Sequence, residues 1–321
     1  MSAEARGAAP SGAVEGRDVV VRVRESEHDA LAATLASRGF RAVDKPEPGA
    51  APAGLVVDPA ALGSDALGRI NRAAMAYPYA PLIVVTGPLE RPVLADIIEK
   101  TSLVSLIGRD TPEHAHELDL ALEAVTAGPN GPTPGAGSLL TGAPSARYAG
   151  EIASSDERDA LIDRLEAFLA EAGIRARMVR IAVDAIEELV TNALYDAPVD
   201  EDGRRLNAEL DRRIGVHLAP PDRPRFEVLV RGPVVAASMI DPHGSLDLAT
   251  VRRFLAQGLR GDVSDKPGGA GLGFARVYGL VDRLAVRVVS RVRTETAFVI
   301  DTSTPRKDPA ARPTSFLGWQ G

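Results

Sequence analysis

Five short β-branched runs separated by helical stretches fill the first third of this chain, and that alternation favours a parallel sheet with helices packed on it. The runs lie at 19–23, 41–43, 54–58, 82–86 and 104–107, with helical stretches such as 27–38 between them. The last stretch opens Thr111-Pro112-Glu113-His114, which places Thr111 as an N-cap and Pro112 at the first helical position. Five β/α units in about 110 residues predict an α/β domain over 18–127, behind a disordered tail at 1–17.

Residues 128–146 break the pattern. They are rich in Gly and Pro and carry no hydrophobic period, so they read as an interdomain linker. A strand is expected at 147–153, and Ser154-Ser155-Asp156-Glu157 fits a capping box before a helix ending near Gly173. A second helix should run over 176–195, and strand-like runs follow at 214–218, 226–230, 234–240, 285–292 and 296–300. Residues 147–302 thus read as an α+β domain, and the polar, Pro-rich 303–321 as a loose tail.

A balance of 37 basic against 44 acidic residues, −7 net, supplies no positive field for nucleic acid or an anionic bilayer, so direct nucleic-acid binding is not expected. Cysteine is absent, which excludes disulfides, thiolate metal sites and a cysteine nucleophile and suits a reducing cytoplasm. No apolar run approaches the roughly 18–20 residues that span a bilayer, and the start has no apolar core like a signal peptide's. A soluble cytoplasmic protein is the expectation.

Three segments carry chemistry. In Asp184 to Pro198, Glu188 and Asn192 stand four apart on one helix face, beside a stripe of Ile181, Ala185, Leu189 and Ala193. An amide beside the core needs a partner, which a divalent cation bridging phosphates could be, and a carboxylate one turn away could orient or deprotonate a nucleophile. The plain alternative is an Asn near a helix end with an exposed Glu. In Met239-Ile240-Asp241-Pro242-His243-Gly244 a hydrophobic strand delivers an acid, which could accept from an exocyclic amine such as adenine's; the same residues also suit a simple turn. In Lys266 to Gly273, KPGGAGLG, glycines before a helical stretch at 274–284 could cradle phosphates or form a flexible loop. It is no Walker A loop, and Phe274 stands where the Rossmann fingerprint has its last glycine.

In this order and spacing the three segments resemble the N, G1 and G2 boxes of GHKL ATPases, the Bergerat-fold family of histidine kinases, anti-sigma serine kinases and gyrase-like ATPases. The span 147–302 looks like the anti-sigma serine kinase branch, with E-x-V-T-N-A similar to Glu188 to Ala193. The resemblance implies an α+β sandwich binding ATP and Mg²⁺. By it, Asn192 would hold Mg²⁺, Glu188 would be the catalytic base, and Asp241 with Gly244 would form the adenine-reading turn. Gly269, Gly271 and Gly273 would bracket the phosphates, with Lys266 near them under a lid at about 253–266, and Thr296 would help hold the nucleotide. The G1 box departs from the family's D-x-G-x-G, since Asp241-Pro-His-Gly-Ser brings its first glycine one place late.

The first domain is similar to a flavodoxin-like (βα)5 response-regulator receiver, with Asp58 at the phosphoacceptor position and Thr86 at the switch threonine. It departs where receivers place the acids that hold Mg²⁺, offering Arg22-Val23-Arg24-Glu25, and Gly108-Arg109 stands where they have a lysine. A pseudo-receiver for docking or dimerisation is the expectation. His116-Glu117-Leu118 resembles a histidine-kinase phosphoacceptor box only superficially, without its proline or a preceding dimerisation segment.

Together the resemblances imply a signalling regulator that binds ATP·Mg²⁺. Its partners would be proteins, such as a sigma factor or its antagonist, or a second copy in a homodimer. Two readings stay open: a kinase in which Glu188 activates a partner's hydroxyl, and a non-catalytic nucleotide sensor. A hybrid histidine kinase is the third, and would need His116 as phosphoacceptor.

Overall fold

The computed structural model describes residues 18–108, 114–127, 135–262, 272–303 and 314–320. The expected alternation forms as β1 (Asp18–Arg22), α1 (Glu25–Ser37), β2 (Arg41–Val43), β3 (Gly54–Val57), α2 (Ala66–Ala76), β4 (Leu82–Thr86), α3 (Arg91–Lys100), β5 (Leu103–Gly108) and α4 (His114–Ala127). These strands lie parallel in the order β2-β1-β3-β4-β5. Their apolar residues point alternately to two cores. Val20, Leu55, Val57 and Val84 pack under α2 and α3, while Val19, Val21, Val56 and Ile83 pack under α1 and α4. The predicted Thr111 cap lies outside the described residues.

The second half contributes α5 (Ala136–Leu139), β6 (Ala146–Glu151), α6 (Arg158–Glu171), α7 (Ala176–Thr191), β7 (Arg225–Arg231), β8 (Val234–Asp241), α8 (Leu248–Arg260), α9 (Leu272–Leu280), β9 (Arg283–Val289), β10 (Arg293–Asp301) and β11 (Ser315–Gln320). Strands β9-β10-β8-β7-β6 form an antiparallel set. Of the stripe read on α7, Ala185, Leu189 and Ala193 are buried and Ile181 only partly so, and the buried face also takes in Val179, Ala182, Val183, Ile186 and Val190. Helix α8 is bounded by an Asp247 side chain accepting from Thr250 N at 2.8 Å and by Gly261 in the left-handed region.

Several expectations need correction. The tail read as loose supplies β11, because Phe316 and Leu317 are apolar enough to be wholly buried. β11 runs parallel to β9 and antiparallel to β5, so the two halves share one mixed eleven-stranded sheet among the described residues. Part of the stretch read as a linker is likewise built in: Ala136, Leu139 and Leu140 are buried, and α5 packs on β7, β8 and β10. No strand forms at 214–218, where only His217 bridges Ser154. The predicted capping box is replaced: Glu157 accepts from Ala153 N at 3.1 Å, and Ser154 makes no side-chain cap. The helix expected over 274–284 ends at Leu280, since Arg283 already belongs to β9. The segment from Arg253 to Arg260, expected in a lid, belongs to α8.

Further contacts tie the halves. Arg252 Nη1 donates to the Thr101 and Leu103 carbonyls at 2.8 and 2.9 Å, and Arg260 reaches Asp96 at 2.7 Å and Glu99 at 2.5 Å on α3. Glu117 on α4 is fully buried and pairs with Arg283 of β9 at 2.5 Å. Ser315 of β11 donates to the other oxygen of Glu117, and Arg283 also donates to the Leu139 carbonyl at 3.0 Å. Among the described residues no helix is long and apolar enough to cross a membrane.

Candidate functional site

Helix α7 does not end cleanly. Residues Asn192–Asp196 continue it as a π turn, closed by Ala197 N donating to the Asn192 carbonyl at 2.9 Å. Such turns re-aim side chains and recur at functional sites. Here the turn carries Asn192, whose Nδ2 is buried with no hydrogen-bond partner. The amide's O and N are interchangeable by a flip, so the group offers either atom to whatever occupies the space before it.

Gly273 at the start of α9 closes on the same place. A Cβ there would stand 2.9 Å from Glu188 Oε2 and 3.1 Å from Asn192 Oδ1, so only glycine lets α9 approach without displacing them. Glu188 itself is engaged: Arg276, one turn along α9, pairs with it at 2.5 Å and reaches Asp184 at 3.7 Å.

From the sheet side comes Asp241 at the end of β8, 8% exposed. Its Oδ1 accepts from the backbone amides of His243 at 3.0 Å and Gly244 at 3.4 Å. The turn and the site are thus one arrangement, since the carboxyl that closes the turn also lines a cavity. Burial pushes the Asp241 carboxyl above the ordinary carboxylate range, with the His243 and Gly244 amides pulling the other way. The folded chain therefore favours the protonated form more than the unfolded chain does. Its contribution to stability is complete below the ordinary value and is lost as pH rises through the folded one.

Gly244 is also required by packing. Its φ is +58°, and a Cβ would meet Val289 O at 2.2 Å and Val292 N at 2.7 Å, both backbone atoms of the β9–β10 turn. Gly244→Ala should therefore lower stability by about 2–4 kcal/mol through strain and overpacking, measured by denaturant titration. A loss below about 0.5 kcal/mol, the size of an ordinary surface change, would show that the turn yields freely.

Asn192, Asp241 and Thr296 line one cavity. Leu189, Met239, Leu246, Phe254 and Phe274 give it apolar walls, and Thr294 and Ser245 add hydroxyls. Asp196 and Arg205 also line it, and sequence reading missed both. Asp196 follows Asn192 by four residues, a spacing that could have signalled it, whereas nothing local marks Arg205 or the Glu188 partner Arg276. Lys266, Gly269 and Gly271 lie outside the described residues. The chain matches no protein-family model and no curated protein.

In the first half, Asp58 is fully buried. Its Oδ1 accepts from Ala60 N at 2.9 Å, capping the 3₁₀ turn Pro59–Asp65, and its Oδ2 lies 3.2 Å from Arg24 Nε. A cation from the protein thus sits beside the carboxylate. Thr86 is buried and donates to the Gly87 carbonyl at 3.0 Å. The His116 ring is bonded at 3.0 Å to the Ser138 carbonyl of α5.

Proposed function

We propose that the cavity binds ATP with Mg²⁺ and that its occupancy governs a protein partner, making the chain a cytoplasmic signalling regulator of GHKL type. The observation that carries this is the convergence on one cavity of Asn192, whose Nδ2 is buried without a partner, and a buried Asp241 carboxyl from separate elements. Antiparallel β9-β10-β8-β7-β6 under α6 to α9 supports the sandwich, and the parallel order β2-β1-β3-β4-β5 is that of flavodoxin-like domains. That half would serve as a docking or dimerisation module, with Asp58 as a turn residue.

The residues present fit Mg²⁺ only in company. Among the described residues no group of three or more His, Asp or Glu could hold an ion alone. Asn192 would hold it through one oxygen, the phosphates supplying others, and the ion would neutralise phosphate charge. Glu188 is held by Arg276 and cannot take a proton without giving up that ion pair. This favours the nucleotide sensor over the kinase; a partner hydroxyl would be activated only if Arg276 moved to the phosphates.

Calorimetric titration of the whole chain with a non-hydrolysable ATP analogue and Mg²⁺ tests the reading. Saturable binding is expected, weakened about 100-fold or more in Asn192→Ala and Asp241→Asn, each of which removes a buried polar contact. No binding at millimolar ligand would overturn it. Adenosine affinity should rise with pH as Asp241 ionises to accept from the base amine, and Asp241→Asn should flatten that rise. A pH-independent wild type would remove Asp241 from base recognition.

A further inference from the structure

We infer that Arg205 is a specificity residue that contacts the phosphate chain of the nucleotide; the inference rests on the nucleotide reading of the cavity. Among the described lining residues the charged groups are Asp196, Asp241 and Arg205, so Arg205 is the cavity's one cation. A polyphosphate carries more negative charge than one Mg²⁺ neutralises, and a guanidinium matches phosphate oxygens with paired donors.

Asp196 does not consume Arg205. Both its oxygens accept from Arg212 Nη2 at 3.0 Å, and Arg212 stacks over the Tyr195 ring at 4.6 Å. Tyr195 fixes that clamp by donating to the Arg212 and Ile214 carbonyls at 3.1 and 2.9 Å. Arg205 itself has no ion pair or side-chain hydrogen bond among the described residues, though its charge is felt at Asp196.

Its placement is nonetheless built. The chain leaves the π turn at Ala197 and reverses through a tight turn in which Asp200 N donates to Arg204 O and Gly203 N to Asp200 O, each at 2.9 Å. The Asp200 carboxylate accepts from Arg204 N at 2.8 Å, and Gly203 at φ +82° lets the chain turn back. Val199 and Arg205 then pair as an antiparallel bridge, and Leu206 N bonds the Pro198 carbonyl at 2.9 Å. Asn207 Nδ2 holds the returning strand to the Leu194 carbonyl at 3.1 Å. The device returns a cation to the helix wall that carries Asn192 and Asp196, while Asp241 and Thr296 lie on the sheet floor.

The test is calorimetry on the whole chain with ADP, AMP and adenosine, comparing wild type, Arg205→Gln and Arg213→Gln. Arg213 lies on the same loop with its side chain 90% exposed and serves as control. Arg205→Gln should weaken ADP about tenfold or more and leave adenosine unchanged, with AMP between, as expected when a charged hydrogen bond to phosphate is lost. Arg213→Gln should change none of the three. Equal loss for ADP and adenosine would make Arg205 a wall of the base pocket, and unchanged ADP would leave it facing solvent; either overturns the inference while the nucleotide reading stands. Wild type binding neither ADP nor adenosine would overturn both.

Discussion

Replacing Glu117 by alanine should destabilise the chain by about 3–5 kcal/mol and bring both halves down in one transition. The carboxylate is fully buried, and its removal takes the Glu117 charge away from Arg283, a residue only 6% exposed. It also leaves the Ser315 hydroxyl, which accepts from Gly108 N at 3.0 Å, without an acceptor. An ion pair in such a place gains little over a well-packed apolar pair, but breaking it leaves a charge buried and uncompensated. Glu117→Leu with Arg283→Met should therefore recover much of the loss. Because the network joins α4, α5, β9 and β11, the damage is shared. The single Trp319, on β11, reports the seam by fluorescence, while circular dichroism reports the whole. A loss under about 1 kcal/mol, or a fluorescence transition separated from the dichroism transition, would show that the network does not bind the halves.

This seam is also where the sequence was hardest to read. The β/α alternation and the α7 stripe are local patterns of period two and 3.6, and they locate elements wherever burial falls on one face. Glu188, Asn192 and Asp241 were legible for a related reason: each is a polar residue set in an apolar pattern, and such a residue needs a partner. Their convergence with Gly273 and Thr296 on one region follows from that logic. Pairing across long separations leaves no such local trace. SFLGWQ is six residues beyond a Pro-rich stretch, and nothing in it says that β5 and β9 have edges to fill. Glu117 gave no local sign of its role, because its partners Arg283 and Ser315 lie 166 and 198 residues away. Gly244 was legible in the Asp241 turn, but nothing local showed that the backbone atoms crowding it belong to a turn more than 40 residues later. The π turn was missed because one extra residue in a helix changes geometry without changing the pattern.

Ending the chain at Ser303 should therefore do more than trim a tail. It removes the strand between β5 and β9 and exposes both as open edges, each able to pair with another copy. Phe316 and Leu317, both fully buried, are lost, at roughly 1.5–3 kcal/mol each for burial alone. The Ser315 donor of the Glu117 network goes too, as do the Thr314 bonds to α9, where its carbonyl accepts from the Tyr278 hydroxyl at 2.8 Å. Gln320 no longer accepts from Leu248 N at the head of α8 at 3.0 Å. The sum is roughly 5 kcal/mol or more, which for a chain of this size lowers Tm by about 10 °C or more. The consequence reaches the cavity, because α8 carries Phe254 on one side and the arginines that hold α3 on the other. On the nucleotide reading proposed for the cavity, affinity should fall along with stability, and a synthetic peptide covering 314–321 added in excess should restore both by refilling the gap. A truncated chain with wild-type Tm and affinity would mean that β11 only rests on a sheet that is complete without it. A peptide that restores Tm without affinity would separate the seam from the site.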